Sequence, residues 1–175
     1  SQVCTASLRR YSTEVCVSAK LHDPSLKSVR FRDMALADVP AIMEIERDAY
    51  PFPWSEGIFK DCIRVGYVCR IAELRGMVQG YGIMSFAADE AHILNICIHR
   101  DVREQGMGRR LLHYLLNHAY SVGMTCSYLE VRPSNTPAIR LYESMGFTRV
   151  GIRKGYYQGS PTREDAWVYR LSLPY

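Results

Sequence analysis

The sequence predicts an α/β (α+β) domain built on one mixed, mostly antiparallel sheet with helices packed around it. Three observations predict it. Three strand-like runs, Tyr67 to Leu74, Met77 to Ala87 and Glu90 to Ile98, follow one another with only short turns between them, which suggests an antiparallel meander. The third run is followed by a helical stretch and a further strand, and a strand, helix, strand passage through residues 90 to 131 demands a parallel pair. With 175 residues, 47% of them apolar, the chain has the size and composition of one domain with a proper core.

Each element has its own signal. Residues 1–28 read as an N-terminal extension, serine-rich and weakly basic, with alternation only at Tyr11, Thr13, Val15 and Val17. A flexible extension, an extra edge strand and a processed leader all stay open there. The regular pattern occupies residues 29–175. Val29 to Met34 alternates as a strand, Asp38 is placed to start a helix through Ala49, and Ser55 can cap a short helix ending near Gly66. Between those helices Tyr50, Pro51, Phe52, Pro53 and Trp54 form a stiff aromatic loop. Arg75 and Gly76 make the tight turn inside the meander. Met107, Leu111, Leu112, Leu115, Leu116 and Ala119 recur with helical period, and Gly123 stops that helix. Thr125 to Val131 is the next strand. Thr136 followed by Pro137 marks a helix start, and Gly146 marks its end. Two strands close the chain, Thr148 to Tyr157 and Ala166 to Leu173.

Composition narrows the function. The net charge of +4 is mild and its arginines are scattered, so nucleic acid is not implied, while an anionic ligand fits. The cysteines Cys4, Cys16, Cys62, Cys69, Cys97 and Cys126 contain no C-x-x-C pair and read as reduced thiols. No pair of histidines has ligand spacing on a helix, so no metal is expected. No apolar run approaches a membrane span and no hydrophobic signal core is visible, so a cytoplasmic protein without a membrane partner is expected, as a monomer or weak dimer.

The most informative stretch is a glycine turn: the strand to Ile98, then Arg103, Glu104, Gln105, Gly106, Met107 and Gly108, then the helix from Arg109. Glycines let backbone approach an anion, and a helix N-terminus offers unpaired amides with a positive dipole end. A P-loop is excluded because Arg109 and Arg110 stand where Lys and Ser or Thr are required, and the dinucleotide fingerprint lacks its third glycine. An ordinary glycine turn before an amphipathic helix is the competing reading.

An apolar strand, R-x-x-G-x-G, a leucine-rich helix, a strand ending Leu129, Glu130, Val131, Arg132, and a helix carrying Asn135 and Leu141 to Phe147 together resemble the GCN5-related N-acetyltransferases (GNAT family). Pro53, Trp54 and Ser55, with Tyr156, Tyr157 and Arg163 to Ala166, resemble the RimI type within it, the bacterial ribosomal-protein alanine N-acetyltransferases. The resemblance covers residues 29 to 173 and implies a sheet of about seven strands with a splayed parallel pair and about four helices. It implies that the turn amides from Arg103 to Gly108, with Arg109, hold the pyrophosphate of acetyl-CoA. Leu94, Asn95, Ile96, Cys97 and Ile98 then offer backbone to the thioester and pantetheine arm. Glu104 departs from relatives that are often basic there, placing an acid beside an anion.

Transfer to an amine needs a neutral nucleophile, hence a base, and the leaving sulfur benefits from an acid. Glu130 is the candidate base, against the alternative of a strand-end carboxylate paired with Arg132. Tyr142 is the candidate acid, against a core aromatic packed on Leu141 and Phe147. Asn135 lies just outside the expected cap at Thr136 and is free to contact CoA, with a capping role as the alternative. Tyr156 and Tyr157 point to opposite faces if their segment is a regular strand, and the resemblance assigns the pair to the acceptor peptide backbone. Phe52 and Trp54 are expected as the opposite wall, or as a loop simply pinned to the core. Glu164 and Asp165 either orient the substrate or cap a turn. The resemblance implies a protein N-terminal acceptor, the alanine terminus of a small-subunit ribosomal protein. A lysine, a metabolite amine and a non-catalytic acyl-CoA-binding module remain open alternatives.

Overall fold

Alternation and helical period settle into seven strands and four helices across residues 28–159 and 161–175, which are the residues the computed structural model describes. The expectation of an extension, with Cys4 and Cys16 in it, lies outside these residues, apart from Ser28. In chain order the elements are β1 (Arg30–Asp33), α1 (Val39–Ala49), α2 (Glu56–Arg64), β2 (Val68–Leu74), β3 (Met77–Ala87) and β4 (Glu90–Ile98). Then come α3 (Met107–Ser121), β5 (Cys126–Val131), α4 (Thr136–Ser144), β6 (Thr148–Tyr157) and β7 (Glu164–Ser172). The sheet order is β1-β2-β3-β4-β5-β7-β6, and β4–β5 is its one parallel pair.

Two cores flank the sheet. The first buries Leu111, Leu112, Leu115 and Leu116 of α3 against Ile93, Leu129 and Val131, with Tyr142 and Phe147 closing it. Gly82 lets α3 lie close, because a Cβ there would stand 2.7 Å from Leu115 Cδ1. The second core packs Ile42 and Ile45 of α1 and Phe59 of α2 against Ile71, Tyr81 and Ile83. No helix among the described residues is long and apolar enough to cross a membrane.

The parallel pair is short. Glu90 to Ile93 pair with Cys126 to Leu129 and the ladder then stops, although β4 runs on to Ile98 and β5 to Val131. The cause lies on the other side of β4. Ile83 faces Asn95 while its neighbour Met84 faces Ile93, so Leu94 is an extra residue in the ladder, and a bulge of this kind bends its strand. From Leu94 onward β4 turns away from β5, and the gap between them becomes a cleft.

Local expectations need three corrections. The cap of α4 is Asn135 and not Thr136: the Asn135 side chain accepts from Ala138 N at 3.3 Å, and Pro137 is the second helical residue. Asp38 does precede α1, but its carboxylate is held by Arg32 at 2.7 and 2.8 Å and by Ala35 N at 2.8 Å, so it caps nothing in α1. The end of β6 is not a regular strand. Gly155 has φ +56° and the pairing with β7 slips between Arg153 and Tyr157, so simple alternation of Tyr156 and Tyr157 fails there. Ser55 behaves as expected, accepting from Ile58 N at 3.4 Å.

Candidate active site

The cleft at the splay is lined on one side by Leu94, Asn95 and Ile96 of β4 and on the other by Leu129, Glu130 and Val131 of β5 with Arg132. Phe52 and Trp54 of the aromatic loop, Tyr50, Glu46 of α1, Asn135 and Tyr142 of α4, and Tyr157 complete it. Five segments distant in sequence therefore meet where the sheet opens.

Glu130 sits at the open end of β5 with 17% of its side chain exposed. Its ion-pair partner is Arg153 of β6 at 3.2 Å, not Arg132. Arg132 instead bolts the β6–β7 hairpin down: it donates to Gln158 O at 3.0 Å and Glu164 Oε2 at 2.9 Å, and it lies 4.3 Å from the Tyr157 ring centroid. Glu164 also accepts from Ser134 N at 3.1 Å, and Asp165 accepts from Gly155 N at 2.9 Å, so both acids serve the hairpin that carries Tyr157.

Tyr142 is 6% exposed and packs 5.9 Å from Phe147, yet it lines the cleft. Burial pushes its phenol well above the ordinary value, so the group stays a protonated donor. Tyr157 is raised in the same direction, by burial first and then by the Glu130 charge. Tyr156 is not among the cleft residues; it is exposed, and its ring stands 5.5 Å from the Arg153 guanidinium. Trp54 is anchored through its backbone N–H to Glu46 Oε1 at 2.8 Å, and its ring lies 5.5 Å from Phe59.

The glycine turn lies where β4 ends. Gly106 is the N-cap of α3 at φ +83°, and as a glycine it has no side chain with which to cap the first-turn amides. A Cβ on Gly108 would stand 3.6 Å from Ile98 and 3.5 Å from Leu141, so the first turn of α3 nestles between β4 and α4. Glu104 is exposed at φ +61°. Arg103 donates to Ile98 O at 2.8 Å and Arg109 to Ser144 Oγ at 2.7 Å, so both tie the turn to its neighbours. Cys97 faces inward to the second core rather than into the cleft, and burial pushes its thiol up to about 11.

Sequence reasoning did not single out Glu46 or Tyr50. A signal for Glu46 was present: Val39, Ile42, Met43 and Glu46 share one helical stripe, so the carboxylate falls on the buried face of α1.

A mixed sheet whose one parallel pair opens over such a cleft is the architecture that the resemblance to the acetyltransferases implies. Residues 39–147 match the Acetyltransferase (GNAT) family, and the chain belongs to that family. It is 38% identical over 136 residues to the [ribosomal protein bS18]-alanine N-acetyltransferase of Escherichia coli K12, covering 78% of this chain and 92% of that one. The crystal structure of the ribosomal-protein-S18-alanine N-acetyltransferase from Escherichia coli superimposes with a TM-score of 0.77 at 36% identity, over 83% of this chain and 94% of the other. A phosphinothricin acetyltransferase from Sinorhizobium meliloti, solved with acetyl-CoA, shares the fold at a TM-score of 0.71 and 22% identity, over 83% and 89% of the two chains.

Proposed function

We propose that this acetyltransferase moves the acetyl group of acetyl-CoA to the α-amine of a protein N-terminus, the alanine terminus of a small-subunit ribosomal protein. The observation that carries the reading is that Glu130 and Tyr142, a carboxylate and a protonated phenol, line one cleft at the open end of the splay. The printed activity of the Escherichia coli relative supports the choice of acceptor. The amides of the glycine turn and the start of α3, from Arg103 to Gly108, take the pyrophosphate, and the β4 backbone from Leu94 to Ile98 guides the pantetheine arm toward Asn135 and Tyr142. Phe52, Trp54 and Tyr157 are the proposed acceptor contacts within the cleft, and Tyr156, whose ring meets that of Tyr157 at 5.0 Å, is proposed to contact the acceptor outside it.

In the proposed reaction the amine nitrogen attacks the thioester carbonyl carbon while Glu130 takes its proton, directly or through a water. The C–S bond breaks as the tetrahedral intermediate collapses, and Tyr142 gives a proton to the departing sulfur. An α-amine has a reference pKa near 8 and a lysine amine near 10.4, so the neutral fraction at neutral pH differs by roughly two hundred-fold. One carboxylate acting as base therefore suits a terminus better than a lysine. The four described cysteines are free and buried, in keeping with a cytoplasmic setting.

The test is mass spectrometry of a peptide panel incubated with acetyl-CoA, varying the first residue and including an internal lysine. An alanine-starting peptide with a ribosomal sequence is expected to be acetylated at its terminus. Acetylation only of the lysine, or CoA binding with no transfer to any peptide or amine, would overturn the reading.

A further inference from the structure

Glu46 is a buried carboxylate to which the proposed chemistry assigns no task. It is 1% exposed, on the apolar stripe of α1, and lines the cleft beside Tyr50, Trp54 and Asn95. Both oxygens are engaged. Oε1 accepts from Trp54 N at 2.8 Å, while Oε2 accepts from the Tyr81 hydroxyl and from Asn95 Nδ2 at 3.4 Å.

All three donors are neutral. Among the described residues no lysine, arginine or histidine forms an ion pair with Glu46, whereas Glu130 has Arg153 and Glu164 has Arg132. A charge taken out of water is ordinarily paired with an opposite one, because neutral dipoles recover only part of its lost hydration. The groups facing Glu46 do not supply that partner. Tyr50 at the end of α1, Tyr81 of β3, Cys97 of β4, Tyr142 of α4 and Tyr157 of β6 are all held neutral by burial. Arg132 beyond β5 is committed to Glu164, and Arg103 is tied to the Ile98 carbonyl.

We infer that Glu46 anchors the acceptor as an ammonium ion: the counter-ion this carboxylate lacks is the charged N-terminus that enters the cleft. The inference rests on the N-terminal-acceptor reading and adds a division of labour to it. Glu46 holds the ammonium form on arrival; the ammonium then loses one proton to solvent, and Glu130 takes the second as the neutral nitrogen attacks. Such an anchor stabilises bound substrate more than the transition state, so it lowers KM without raising kcat. It also favours turnover, because acetylation turns the cation into a neutral amide and ends the attraction.

The experiment compares two ligands on CoA-loaded protein at about pH 6.5, where an α-amine of reference pKa near 8 is charged. One is an alanine-starting peptide; the other is the same peptide with its first amino group replaced by hydrogen. Wild-type protein is expected to prefer the amine by about tenfold or more, the size of a hydrogen bond to a charged group. Glu46→Gln, which keeps the shape, is expected to bring the two dissociation constants together while CoA affinity is unchanged. Asn95→Lys, which places a tethered ammonium beside an intact Glu46, is expected to bring the two peptide dissociation constants together when they are read at saturating CoA. Glu130→Gln is expected to retain the preference. Retention of that preference in whichever Glu46 or Asn95 variant folds, or its absence in the wild type, overturns the anchor. Failure of the acceptor reading is distinguishable, since wild-type protein would then acetylate no N-terminal peptide.

Discussion

Tyr142 combines burial with access, and the combination sets its chemistry. Packed near Phe147 yet open to the cleft, its hydroxyl has little water around it, and the cost of an unsolvated phenolate keeps the proton in place. A group whose pKa is raised stays protonated as pH climbs through the ordinary phenol range near 10, so it keeps the proton that the proposed role requires. Steady-state kinetics are therefore expected to show kcat/KM rising as the acceptor amine loses its proton near pH 8, with no falling limb below about pH 10. Tyr142→Phe is expected to lower kcat by about a hundredfold or more while acetyl-CoA still binds. A falling limb near pH 9 that the Phe variant abolishes would contradict this role.

Between residues and fold, the elements that shape the site are a bulge and a helix end. Gly106 stands at φ +83°, where a side chain is strained, and it opens α3 with an N-cap residue that offers the first-turn amides no side-chain acceptor. Gly106→Ala is expected to lower stability by about 1 kcal/mol and to weaken acetyl-CoA binding as the cradle distorts. Gly76→Ala is the control: its φ of +78° imposes the same strain on the remote β2–β3 turn, so thermal unfolding should shift alike while calorimetric CoA affinity stays. Equal affinity loss in both variants would deny the cradle its role. Turn chemistry is also what made these elements legible. Gly76, Gly123 and Gly146 sit at positive φ in the described structure, and each marks a boundary the sequence announces. The Leu94 bulge was not legible, because an extra residue in a ladder shows only once the partner register of Ile83 and Met84 is known. The same holds for Asn135, whose local pattern fits a cap at either it or Thr136, and for Tyr156 and Tyr157, where the αL turn at Gly155 overrides alternation.

At the scale of the whole molecule, the cleft exists because two sets of elements are joined across one incomplete seam. The β1–β4 half carries α1 and α2, while the half with β5, β7 and β6 carries Glu130 and the hairpin, and four residue pairs of parallel ladder connect them. The seven-stranded architecture could be read from the chain because strands, turns and helical periods agree, whereas the pairing of charges across it could not. Arg32 shows why: it binds Glu73 on β2 at 2.7 Å and Asp38 before α1 at 2.7 Å, partners joined only by the fold. Through Asp38 the edge strand β1 is tied to the start of the helix that bears Glu46. The Arg32 hydrogen bond, against some loss of hydration, holds the Asp38 carboxyl below its usual range. A depressed pKa contributes stability above the unfolded value near 4, and that contribution is lost as pH falls through the lower folded value. Asp38→Asn is therefore expected to be less stable at pH 7 by about 1 kcal/mol, lowering Tm by about 2–4 °C. Its Tm should then fall less between about pH 5 and 2 than that of the wild type, since the titrating group is gone. Parallel acid slopes in the two proteins would show that the Arg32 bridge contributes nothing to holding α1 in place.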